Sequence, residues 1–207
     1  MVLYWILWPI CYVLAKILFR LRVEGRNNVP KKGPLIAVAN HNSYVDPVII
    51  DLGVVRRVHF MGKTEIVSKG LFGLFLRVIG TFPVRRGEAD RAALKRSFEI
   101  LDEQKVLGLF PEGTRIRREG LGSFEPGIAF IALKSGAQII PVGMKGTDRI
   151  WPAGRRSPAF PKVTVKVGKP FNIPEDLLGV SDPAEKKART DKILDLIRQK
   201  LIQVIPE

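Results

Sequence analysis

Short apolar runs alternate along this chain with longer segments of helical period, and that alternation restricts the folds open to it. Runs at 21–25, 34–39, 57–61, 106–110, 138–144 and 163–167 read as strands. The run at 34–39 is apolar throughout, as a strand buried on both faces would be. Between the runs lie helical segments. Asp46-Pro47 opens one over 47–52, with a side-chain oxygen at the N-cap and proline at the first helical position. Residues 88–103 place Leu94, Phe98 and Leu101 on one face, and residues 184–204 do the same with Ile193, Ile197, Leu201 and Val204. Residues 127–135 also read as helix. Such an order predicts an α/β domain, a mixed and largely parallel sheet flanked by helices. At 207 residues, the chain has room for one domain and a small appendage.

The appendage is N-terminal. Residues 1–15 carry no charge, and Arg20 and Arg22 close the apolar stretch. The stretch lacks the basic start and small-residue cleavage site of a secretory signal. At about 1.5 Å per residue, a helix over 3–21 reaches roughly 28 Å, near the ~30 Å hydrocarbon thickness. Trp5, Trp8, Tyr4 and Tyr12 suit an interface, whereas Pro9 and Lys16 interrupt a clean span. The expectation is a membrane-associated helix over 1–20, spanning or lying in one leaflet, followed by the main α/β domain over 21–207. A buried core helix is the alternative. Residues 70–80 (GLFGLFLRVIG) are a second candidate for membrane contact or a lipid-chain tunnel, with core burial as the alternative.

The net charge of +14 favours anionic partners. It resides in the body, because residues 172–207 hold six basic against seven acidic side chains. One cysteine, Cys11, rules out a disulfide framework and a cysteine zinc knuckle. No Rossmann fingerprint, Walker A loop or G-x-S-x-G elbow is present.

Three polar motifs close apolar runs. His41 and Asp46 stand at H-x4-D on a strand-to-helix loop, where ligands bind in α/β sheets. A carboxylate on one ring nitrogen fixes the tautomer, leaving the other to take a proton from a hydroxyl. A hydrogen-bonded loop histidine beside a capping aspartate is the plainer reading of that spacing. Arg85 and Arg86 follow Gly80-Thr81-Phe82-Pro83-Val84, and Arg115 ends Phe110-Pro111-Glu112-Gly113-Thr114. Arginine's planar fork suits a phosphate. No aromatic residues interleave with the arginines, so base stacking and nucleic acid are not expected.

In order, these runs resemble the motifs of the glycerolipid acyltransferase family, in particular bacterial 1-acylglycerol-3-phosphate (lysophosphatidic acid) acyltransferases. Residues 40–47 resemble the first motif, 80–86 the second, 110–115 the third, and Ile139-Ile140-Pro141-Val142 the fourth. The resemblance implies His41 as general base with Asp46 as its partner. It implies acceptor binding by Arg86, Glu112, Gly113, Thr114 and Arg115, with Arg85 competing for the role of Arg86. Glu112 is expected to orient a basic group rather than touch phosphate, since like charges repel. Many relatives carry an acid before the second-motif arginine, where this chain has Arg85. Many carry Phe-Lys-x-Gly where this chain has Phe124-Glu125-Pro126-Gly127.

The implied activity is acyl transfer from acyl-CoA or an acyl carrier protein to a lysophospholipid on the cytoplasmic face of the cell membrane, with no metal or bound cofactor. Acyltransferases for glycerol 3-phosphate or another lysolipid, and a non-enzymatic basic membrane-binding protein, are the alternatives.

Overall fold

The computed structural model describes residues 2–85, 90–115, 120–152, 157–178 and 183–207. Its centre is a seven-stranded sheet in the order β1-β7-β6-β2-β5-β3-β4. The strands are β1 (Arg22–Glu24), β2 (Leu35–Ala39), β3 (Val58–Lys63), β4 (Phe82–Val84), β5 (Val106–Leu109), β6 (Gln138–Lys145) and β7 (Thr164–Val167). All neighbours are parallel except β6 and β7. The expected mixed, largely parallel sheet is therefore present.

Both faces of the sheet are covered, which explains why its central strands read as unbroken apolar runs. Leu35, Ala37 and Ala39 of β2 enter one core cluster, and Ile36 and Val38 enter the other. The first cluster lies under α1 (Val2–Leu18) and α2 (Asp46–Val54). The second lies under α5 (Arg91–Asp102), α6 (Gly127–Ser135) and α7 (Pro183–Ile202). Ile193, Ile197, Leu201 and Val204 are the buried residues of the C-terminal segment, as their spacing predicts. The helix expected over 88–103 begins later, at Arg91, because Asp90 caps it by accepting from the Ala93 amide at 2.9 Å.

Two short elements escape the sequence reading: α3 (Thr64–Val67) and β4. Strand β4 is three residues long and sits at the sheet edge, where its central Pro83 need not donate to a second neighbour. Helix α4 (Gly70–Val78) follows α3. It buries Gly73 and Leu76 but exposes Leu71, Phe72 and Leu74, so it is not a core helix all round.

Helix α1 has 17 residues and ends at Leu18, short of the expected range. No helix among the described residues is long and apolar enough to cross a membrane. The helix docks through Tyr4 and Ala15, its buried side chains, while Trp5, Ile6, Ile10, Val13 and Ile17 stay exposed. Tyr4 donates its hydroxyl to Asp51 Oδ2 of α2 at 2.9 Å, and the Val58 amide donates to Asp51 Oδ1 at 2.8 Å. One buried carboxylate thus joins α1, α2 and the start of β3.

Burial pushes the Asp51 carboxyl up to about 7, although the Val58 and Tyr4 donors and the Arg57 charge pull it down. The folded chain then keeps a proton that the unfolded chain, with an ordinary pKa of 3.8, has released. Folding stability therefore falls as pH rises through that window. Asp51→Asn removes the titration. Its melting temperature relative to the parent chain should rise between about pH 4.5 and about pH 7.5. A difference that does not change with pH would contradict this assignment.

Candidate active site

Strands β2, β5 and β6 run parallel, so the loops that follow β2 and β5 emerge at one edge of the sheet. The β2 loop begins at Asn40. Its side chain donates to the Met144 carbonyl at 2.9 Å and accepts from the Met144 amide at 2.8 Å, fastening the loop to β6. The chain then turns sharply into α2. Asp46 Oδ2 accepts from the Asn42 and Ser43 amides, both at 2.7 Å, and lies 2.9 Å from His41 Nδ1. Facing a carboxylate, Nδ1 must be the protonated nitrogen, which leaves Nε2 as the ring's acceptor.

This differs from the capping role expected of Asp46. The N-cap residue is Val45, and Asp46 is the first residue of the helix. Its carboxylate folds back onto the loop instead of forward onto the helix amides. The H-x4-D spacing thus returns the aspartate to the histidine ring.

Aromatic packing fixes the face of that ring. Phe110 stacks on His41 with centroids 3.9 Å apart and planes 16° apart, and Phe60 stacks on Phe110 at 5.4 Å. Gly108, paired with Phe60 across β3 and β5, makes room, since a Cβ there would lie 2.2 Å from Phe60 Cε1.

Glu112 holds the loop from the other side. Its Oε2 accepts from the His41 amide at 3.4 Å and its Oε1 from the Gly122 amide at 3.1 Å. Burial raises its pKa and these two donors pull it back. The carboxylate thus takes its hydrogen bonds from two backbone amides, where the sequence leads one to expect a basic group. Gly113 follows with φ of +64°, a left-handed conformation that favours glycine.

His41 borders a cavity of about 730 Å³. Thr114 and Arg115 also line it, as does Lys63 at the end of β3, which the sequence reading passed over. Arg115 is half-buried, its guanidinium carbon 3.5 Å from the centroid of the Tyr44 ring. Phe60, Phe72 and Leu76 add apolar surface to the lining. A narrower, mostly apolar groove of about 290 Å³ runs past Gly113 between α5 and α6. Arg85 is exposed after β4 and outside both. Arg86 lies outside the described residues.

Fold and site together define a class: an α/β protein with a carboxylate-held imidazole beside a cavity lined by both charged and apolar side chains. The comparisons narrow it, and the chain belongs to the acyltransferase family, whose model matches residues 20–145. It is 32% identical over 139 residues to a chloroplastic 1-acyl-sn-glycerol-3-phosphate acyltransferase of Arabidopsis thaliana. That match covers 66% of this chain and 39% of the plant protein, so the chain spans about two fifths of that relative's length. A Bacillus subtilis 1-acyl-sn-glycerol-3-phosphate acyltransferase is 26% identical over 168 residues, covering 79% of this chain and 78% of the relative. The crystal structure of the 1-acyl-sn-glycerophosphate acyltransferase from Thermotoga maritima superposes with a TM-score of 0.69 at 28% identity. It covers 97% of this chain and 81% of that one.

Asp46→Ala leaves two loop amides and the Nδ1 proton without their acceptor in a buried place. It should cost about 1–3 kcal/mol of stability, the penalty of leaving buried neutral donors unsatisfied. Asp46→Asn keeps an acceptor oxygen and should cost about half that or less. Urea unfolding checks both, and equal losses would contradict the converging-donor arrangement.

Proposed function

We propose that the chain is a 1-acyl-sn-glycerol-3-phosphate O-acyltransferase, making phosphatidic acid from lysophosphatidic acid and an acyl thioester. The observation that carries this reading is the 2.9 Å His41–Asp46 contact beside a cavity that also holds Arg115 and Lys63. His41 Nε2 takes the proton of the sn-2 hydroxyl as that oxygen adds to the thioester carbonyl. Asp46 offsets the imidazolium charge. Collapse of the tetrahedral adduct forms the ester, and the departing thiolate receives the proton from His41. Both substrates are bound at once, with no acyl-enzyme.

Arg115 and Lys63 hold the acceptor phosphate, with Arg85 and Arg86 as further basic groups for it. Glu112, Gly113 and Thr114 shape the loop that presents Arg115. The apolar wall from α4 suits an acceptor with its own acyl chain better than glycerol 3-phosphate. Acyl-CoA and acyl carrier protein are both acidic donors, and the body of the chain is basic. The reaction as written uses no metal and no bound cofactor.

Residues 1–20 form the membrane-contact segment and 21–207 the catalytic domain. The exposed apolar side chains of α1 support a helix lying in the lipid interface on the cytoplasmic face. Those of α4 support a second contact, beside the cavity that Phe72 lines. Full-length protein should leave membranes with detergent and stay bound in high salt, whereas purely electrostatic binding would be released by high salt.

The test is purified protein with a labelled acyl donor and a panel of lysolipids, the products identified by mass. His41→Ala should lose at least about 10²-fold in rate while staying folded. Arg115→Ala should weaken lysophosphatidic acid binding by about one to two decades, and less so acceptors without phosphate. Ping-pong kinetics, or an acyl-protein adduct trapped after donor alone, would overturn the mechanism. Turnover of a different lysolipid only would move the assignment to that acceptor.

A further inference from the structure

Helix α7 lies beyond the residues 20–145 that the family model matches, yet it reaches the loops of the site. Ile197 and Leu201, both fully buried, fix its rotation against the sheet. Between them Arg198 turns toward the segment that returns from the Glu112 loop to α6. Its guanidinium donates to the Gly122 carbonyl at 2.7 Å and lies 4.2 Å from the centroid of the Phe124 ring. The amide of Gly122 donates to Glu112 Oε1, and Glu112 Oε2 accepts from the His41 amide. A little further along, the Glu125 amide donates to the Pro111 carbonyl at 2.7 Å, pinning the same segment beside Glu112.

We infer that Arg198 is a positioning residue for the reaction. By gripping the 122–124 segment it holds the Glu112 carboxylate in register with the His41 backbone, and so sets where the imidazole stands. The inference rests on the reading of His41 as the base. It needs no contact between Arg198 and substrate. The groups that face Glu112 agree with it: the His41 and Gly122 amides are its hydrogen-bond donors, and the Arg198 charge favours its ionised form. An arginine is suited to the place because one planar group can bond the carbonyl and cover the ring together, whereas a lysine ammonium is a point charge.

A structural role alone would lower stability and leave the chemistry of the folded protein unchanged. Full-length Arg198→Ala, Arg198→Lys, Glu112→Gln and the Arg198→Ala/Glu112→Gln double variant separate the two, all assayed below their melting temperatures. Arg198→Ala should lower kcat by about tenfold to a hundredfold, the range expected for a displaced catalytic group, with little change in KM for the acyl donor. Arg198→Lys should recover part of that. The double variant should be about as slow as Glu112→Gln alone, because the two act through one path.

Amide hydrogen exchange supplies a second readout that needs no substrate. In Arg198→Ala, exchange at His41 and Gly122 should speed up by about tenfold or more relative to Ile36 and Val38 of β2. Unchanged exchange at His41, or additive losses in the double variant, would overturn the inference. If the parent chain acylates no lysolipid, the proposed activity fails, and the exchange at His41 still decides the role of Arg198.

Discussion

The site depends on one oxygen. Asp46 Oδ2 gathers the Asn42 amide, the Ser43 amide and the His41 ring nitrogen, and so ties the loop between β2 and α2 back onto itself. Asp46 is fully buried, so its charge is costly unless those donors satisfy it. The same contacts that make burial tolerable also choose the tautomer of His41. Folding and ring chemistry are therefore coupled at this point: the bond that closes the loop leaves Nε2 as the ring's acceptor.

The rest of the fold brings partners to that oxygen. A sheet covered on both faces lets consecutive strands run parallel and release their loops at one edge. Through that arrangement β5 delivers Phe110 onto the imidazole, β6 delivers the Met144 backbone to Asn40, and β3 delivers Lys63 to the cavity. The stack of Phe60, Phe110 and His41 supplies a rigid apolar floor. Glu112, placed between two backbone amides, ties the loop after β5 to the loop after β2. The cavity they border is lined by the basic Lys63 and Arg115, by Glu65 paired with Lys63 at 3.6 Å, and by apolar side chains such as Phe72 and Leu76.

The central strands were legible because burial on both faces writes an unbroken apolar run, as in β2 and β6. Helices α5 and α7 showed their buried faces in their spacing. Residues β4 and α3 are too short to carry a period, and Pro83 obscures β4 further. His41, Asp46 and Arg115 stood out only through the ordered resemblance to the family motifs, because the H-x4-D spacing by itself reads as a loop histidine beside a capping aspartate. The backfolding of Asp46 was not legible, because Asp-Pro at a helix start reads equally as a cap. The bonding of Glu112 joins residues 71 positions apart, and nothing local announces such a pairing. Lys63 lay just past the expected end of its strand, so the extra two residues of β3 decided whether it was seen as part of the site. The apolar character of α1 was plain, and the structure adds which side chains it spends on Tyr4 and Ala15 docking and which it leaves outside.

The most direct test of this account is the protonation pattern of the His41 ring. The chain has two histidines, His41 and His59, so the imidazole nitrogen signals of the labelled protein can be assigned with one His41→Ala spectrum. Measured by nitrogen NMR at a pH where the ring is neutral, His41 should carry its proton on Nδ1 and show an unprotonated Nε2. Asp46→Ala should abolish that preference. A neutral His41 protonated on Nε2 in the parent protein would contradict the claim that Asp46 holds this ring as a base.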